Sequence, residues 1–95
     1  MDLSINSNVI NIQGNIKSIS DFQTIKSNID SVVSSHKNIT INVVDSLSIT
    51  SSVIGYFNKL VLKDGIKIKM TVGNEKLMNL LKDLNLASTF NASKA

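Results

Sequence analysis

The chain has 95 residues, 42% of them hydrophobic and 18% charged, and a net charge of +3 from ten lysines, no arginine and seven acids. That length makes one domain, residues 1–95, and that composition can bury a core. With no cysteine and one histidine, disulfides, thiol nucleophiles and thiolate or imidazole metal sites are excluded. The lysines are scattered, arginine is absent, and the aromatics are only Phe22, Tyr56, Phe57 and Phe90, which argues against a nucleic-acid reader. No apolar run reaches the roughly 18–20 residues of a bilayer span, and Met1-Asp2-Leu3-Ser4 lacks the basic start of a signal peptide, so a cytoplasmic protein is expected.

Alternating apolar and polar residues predict a first strand at Leu3-Ser4-Ile5-Asn6 and a second at Ile10-Asn11-Ile12-Gln13, joined through Ser7-Asn8 as a hairpin. The spacing then lengthens to three and four residues at Phe22, Ile25, Ile29, Val32 and Val33, which predicts an amphipathic helix started by Ser18 or Ser20. Alternation returns in Ile39-Thr40-Ile41-Asn42-Val43 and gives way to a second helix on Ile54, Phe57, Leu60 and Val61, capped by Ser51 or Ser52 and stopped at Lys63-Asp64-Gly65. Ile66 to Val72 alternate as a fourth strand. Leu77, Leu80, Leu81 and Leu84 mark a third helix opened by Asn74.

The order is β-β-α-β-α-β-α, an α/β fold with a mixed four-stranded sheet. Strands separated by helices pair in parallel, and right-handed crossovers between strands adjacent in chain order bring the helices mainly to one face. The strict alternation agrees, because a sheet covered on both sides reads as continuous apolar runs. Thr40, Asn42, Lys67, Lys69 and Thr71 then form an open polar face.

Few groups carry chemistry. His36, in Ser34-Ser35-His36-Lys37-Asn38 at a helix end, is the one conventional base, and it reads as a solvated residue. The carboxylates fall on helix exteriors or turns except Asp45, at the end of a core strand. Gly14, Gly55, Gly65 and Gly73 make neither GxGxxG nor GxxxxGK, so no phosphate loop is present. No cofactor, metal or catalytic residue is therefore expected, and the chain reads as a non-enzyme. One stretch departs from ordinary patterning: Ser46-Leu47-Ser48-Ile49-Thr50-Ser51-Ser52-Val53-Ile54-Gly55-Tyr56-Phe57, a hydroxyl-rich loop running into a helix. It lies at the carboxyl end of a parallel strand, where open α/β sheets carry their functional groups, and at a helix start, which favours a phosphate.

From Ile39 to Phe90 the chain resembles the STAS domain of sulfate transporters and anti-sigma-factor antagonists. Val44-Asp45 with Ser46-Leu47-Ser48 is similar to that family's strand end, and Ile49-Thr50-Ser51-Ser52-Val53-Ile54-Gly55 to its Asp-Ser-Ser-Gly-Leu-Gly loop. Asp64-Gly65-Ile66-Lys67-Ile68 and Leu84-Asn85-Leu86 with Phe90 match the remainder. Thr50 stands for the family's Asp and Val53 for its Gly. The first 38 residues share only the β-β-α order and Gly14.

The resemblance implies the family's small right-handed βα superhelix and a bacterial, non-enzymatic partner-switching function in signal transduction. In that family an anti-sigma-type serine kinase phosphorylates the loop serine, here Ser51 with Ser52 as alternative, and a phosphatase reverses it. Thr50, Ser51, Ser52, Gly55, Tyr56 and Lys59 would form the partner-binding surface of a monomer or weak dimer. The alternative is an unphosphorylated STAS scaffold subunit of a transport or stress-sensing assembly.

Overall fold

The structure, a computed structural model, describes residues 1–95. Its elements are β1 (Asp2–Asn6), β2 (Val9–Gln13), α1 (Ile19–Val33), β3 (Asn38–Val43), α2 (Ser51–Leu62), β4 (Lys67–Val72), α3 (Glu75–Asp83) and β5 (Ala92–Lys94). The five strands form one mixed sheet in the order β1-β2-β3-β4-β5. β1 and β2 pair antiparallel around the Ser7-Asn8 turn, in which Ser7 takes φ 58°, and every later pair is parallel. The fold is thus α/β with three helices and five strands.

The expected sheet had four strands. The fifth, Ala92–Lys94, runs beside β4 from Met70 to Val72 and was invisible as a pattern, because three residues cannot display an alternation. It is delivered there by the end of α3. Asn85 adopts φ 59°, and the N–H groups of Asn85 and Leu86 bond to the carbonyls of Lys82 and Leu81 at 3.0 and 2.8 Å. This is the paired closure that a left-handed residue gives after a helix, and asparagine tolerates that region better than most side chains. The chain then turns so that Phe90 is fully buried, edge-on to Phe57 with ring centroids 6.0 Å apart.

Alternation decides which side of the sheet is dry. Ile10, Ile12, Ile39, Ile41, Val43, Ile68, Met70 and Val72 point into a single core with Ile25, Ile29, Val53, Phe57, Leu60, Leu77 and Leu81 from the helices. The intervening residues face away from it. Lys67 and Lys69 are exposed there, as expected, whereas Thr40, Asn42 and Thr71 are half-buried. Two of the three are bonded to their neighbours: Asn42 Nδ2 donates to Asn11 Oδ1 at 2.8 Å, and Thr71 Oγ1 donates to Asn42 Oδ1 at 2.7 Å. The open face therefore carries a polar row across β2, β3 and β4, held in register by the strand pairing.

α1 and α2 lie side by side and are joined through Tyr56. Its ring meets Phe22 edge-on at 6.4 Å, and its hydroxyl donates to Asp30 Oδ1 at 2.6 Å. Lys26 Nζ is 2.8 Å from Asp30 Oδ2 and 5.6 Å from the Tyr56 ring centroid. Burial and the adjacent Asp30 push the Tyr56 hydroxyl pKa well up. For Asp30, partial burial acts to raise the pKa, but the hydrogen bonds from Lys26 and Tyr56 and the Lys26 and Lys59 charges outweigh it and hold the carboxyl below its ordinary value.

Candidate functional site

All three helices start at the carboxyl ends of the parallel strands, so three helix N-termini share one rim of the sheet. The loop from β3 to α2 is stitched to the loop after β2 by three bonds. Asp45 Oδ1 accepts the Gly14 N–H at 2.7 Å, Ser46 Oγ donates to the Gly14 carbonyl at 2.6 Å, and Asn15 Oδ1 accepts the Leu47 N–H at 2.9 Å. Gly14 takes φ +83°, a conformation few side chains adopt. Asp45, the carboxylate singled out at the end of a core strand, is thereby an anchor for the loop. Ser46 is the one fully buried polar residue.

The cap of α2 is Thr50, not Ser51 or Ser52: Thr50 Oγ1 accepts the Val53 N–H at 3.3 Å from an extended backbone. Threonine and aspartate both serve as N-caps, so Thr50 does in this loop what an Asp there can do. Val53 is fully buried and pins the first turn to the core. Ser51 and Ser52 follow as the first two helical residues, both exposed, with hydroxyls free of bonds within the chain.

Of the six residues expected on a binding surface, Thr50, Ser51, Ser52, Gly55 and Lys59 run up α2 from the rim, Thr50 half-buried and the others exposed. Tyr56 differs from these five: it is only 5% exposed, and the Phe22 edge and the bond to Asp30 hold it between α1 and α2. Lys59 is partly engaged with Asp64, 3.4 Å away across an exposed pair.

Two features of the rim were not anticipated. Ile19 is 77% exposed and Leu47 is 58% exposed, large apolar side chains at the start of α1 and in the loop before α2. Ile19 also lines a recess of about 290 Å³ with Lys17, Ser18, Phe22, Thr50 and Ser52, between the two helix starts. Only Leu47 had a signal in the sequence, sitting between Ser46 and Ser48 outside any strand; Ile19 stands three residues before Phe22 and so continues the helical spacing that reads as buried.

The remaining surfaces are plainer. His36 borders a shallow groove with Ile5, Asn28, Ser31 and Ser35, and no carboxylate faces it there. The largest depression, about 440 Å³, lies on the open sheet face between Asn8, Thr40, Lys67, Lys69 and Asn91. It gathers amides and two lysines but no nucleophile with a base. No three His, Cys, Asp or Glu side chains converge as a metal site would require, and no helix is long and apolar enough to cross a membrane.

Comparison with protein-family models, with curated proteins and with solved structures gives no match for this chain.

Proposed function

We propose that the protein is a STAS-like partner-switching regulator, a binding module that docks a protein partner on the rim at the start of α2 and is switched by phosphorylation of Ser51. The observation that carries the reading is the pairing of an exposed, unbonded Ser51 hydroxyl in the first turn of α2 with the exposed apolar side chains of Ile19 and Leu47 on the same rim. Unpaired apolar side chains beside a polar recess suit a protein interface better than a small-molecule cleft. A kinase can reach such a serine, and Asp45 and His36, the two groups that could have served catalysis, are respectively tied to Gly14 and distant from the loop in a groove without an acid.

The switch follows from charge. Phosphoserine carries about −1.5 to −2 charges at neutral pH, and at a helix N-terminus these meet the positive end of the dipole and free N–H groups, so the fold is retained. Lys17, on the recess beside Ser52, adds a nearby cation. A partner that covers the rim would face an unpaired dianion, at a cost of several kcal/mol, or about a hundredfold or more in affinity.

The test is the intact mass of the protein from its native cells, with the modified residue located by fragmentation. A phosphate on Ser51, abolished in Ser51→Ala, is expected. Partner affinity should be kept by Ser51→Ala and reduced at least tenfold by Ser51→Asp, with little change in melting temperature. Phosphate on Ser52 alone or on neither residue, with partner affinity indifferent to both substitutions, would favour a constitutive scaffold instead.

A further inference from the structure

The two free edges of the sheet differ in kind. β5 is three residues long and ends on Lys94, a short charged edge of the sort that resists pairing. β1 runs Asp2–Asn6 in unbroken register with β2 and contains no lysine, no proline and no bulge. Its free backbone groups can be identified from the ladder. In β2 the Ile12 carbonyl bonds to Val44 N–H and the Asn8 carbonyl to Thr40 N–H, so these alternate groups face β3. Val9, Asn11 and Gln13 therefore exchange bonds with Asn6, Ser4 and Asp2, and the N–H and C=O groups of Leu3 and Ile5 point away from the sheet. The side chains of Leu3 and Ile5 lie on the core side, where Ile5 is left 38% exposed. Beside it a groove of about 270 Å³ separates Ile5 and Ser7 from Asn28, Ser31 and Val32 of α1.

We propose that β1 is a self-association edge: two copies pair β1 antiparallel to β1 around a two-fold axis at Ser4, joining their sheets into one. In that register Ser4 faces Ser4 of the second copy, Leu3 and Ile5 exchange both backbone bonds with their counterparts, and Asp2 faces Asn6. A second copy fits because the segment is complementary to itself. The residue at the axis is small and uncharged, no like charges meet, and an axis normal to the sheet keeps both helical layers on one side. Leu3 of the second copy then covers Ile5 and closes one end of the groove. The surface is distinct from the α2 rim and does not depend on the function proposed for it.

Sedimentation velocity of the wild-type protein from about 10 μM to about 1 mM, the range of a weak interface, should show a monomer–dimer equilibrium. Ser4 is exposed on the open face, so Ser4→Lys and Ser4→Glu should keep the wild-type circular dichroism. Each places two like charges across a non-bonded pair, where Cα atoms approach to about 4.5 Å, and each alone should be monomeric. An equimolar mixture of the two should recover the dimer, which a merely damaged fold would not do. Ser93→Lys, on the opposite edge, should leave dimerisation unchanged. A wild-type protein that stays monomeric throughout, a dimer that survives Ser4→Lys, or one dispersed by Ser93→Lys instead would overturn the proposal.

Discussion

Gly73 has no room for a side chain. A Cβ built there would lie 1.8 Å from the Val44 carbonyl oxygen and 2.9 Å from its carbon, because the Gly73 N–H bonds to the Val43 carbonyl at 2.9 Å as β4 leaves the sheet. The obstacle is backbone, which cannot rotate aside as a flexible side chain would, and the backbone in question begins the loop that carries Thr50 and Ser51. Gly73→Ala is expected to cost about 2–3 kcal/mol, the scale of forced overpacking, measured as a shift of the urea midpoint at constant slope. Gly55→Ala is the control, since nothing lies within 4 Å of its added Cβ, and in a helix interior alanine is favoured by up to about 1 kcal/mol. Sequence alone could not separate these two glycines. Both follow an apolar residue, and only the tertiary approach of Val44 makes one of them obligatory.

The helices and the first four strands were legible because their apolar residues recur at the period of the element, and the one-sided sheet followed from strict alternation in β3 and β4. What failed was finer. For α2 the spacing of Ile54, Phe57, Leu60 and Val61 put the buried stripe one step around the helix from where it lies, on Val53, Tyr56, Phe57 and Leu60. The displacement comes from α1, which offers Tyr56 an aromatic edge and a carboxylate, and no local pattern encodes a neighbour. The cap was displaced for a different reason: Thr50, Ser51 and Ser52 are all cap-forming types, and only the extended backbone of Thr50 selects it. Thr50→Ala should therefore destabilise by about 1 kcal/mol, and Ser51→Ala by no more than about 0.5 kcal/mol. Equal losses in chemical denaturation, or the reverse order, would put the cap elsewhere. The hydroxyl run stood out as a candidate site and Leu47 within it as an apolar residue outside any pattern, whereas Ile19 was not readable, since it continues the helical spacing and its exposure is a property of the assembled rim.

Over the whole molecule, two carboxylates make stability depend on acid. Asp21 closes the capping box of α1, and its pKa is lowered chiefly by the Lys17 N–H, against slight desolvation, with the Ser18 N–H adding to the effect; the two N–H groups lie 2.9 and 3.2 Å from Oδ2. Asp30 is lowered as well, because the Lys26 and Tyr56 bonds overcome the opposing effect of partial burial. Both folded values lie below the ordinary 3.8. The unfolded chain therefore takes up protons first as the pH falls, and linkage requires stability to fall with it. The contribution is intact above the ordinary carboxylate value and is lost as the pH descends through the lowered folded values. Asp30 is exposed and Asp21 half-buried at the surface, so salt screens part of the effect. Urea midpoints should thus be nearly level from pH 7 to about pH 5, begin to fall as the pH nears the ordinary carboxylate value, and fall most below it, as the pH passes through the lowered folded values. Tyr56→Phe removes the hydroxyl bond, which costs about 1–2 kcal/mol at neutral pH and lets the Asp30 carboxyl titrate closer to its ordinary value. The acid-dependent part of the drop should then be smaller in Tyr56→Phe than in the wild type, even though the variant is less stable at every pH. A variant with an unchanged or steeper drop would mean that the bond from Tyr56 does not hold the Asp30 carboxyl below its ordinary value and that Lys26 and Lys59 do so without it.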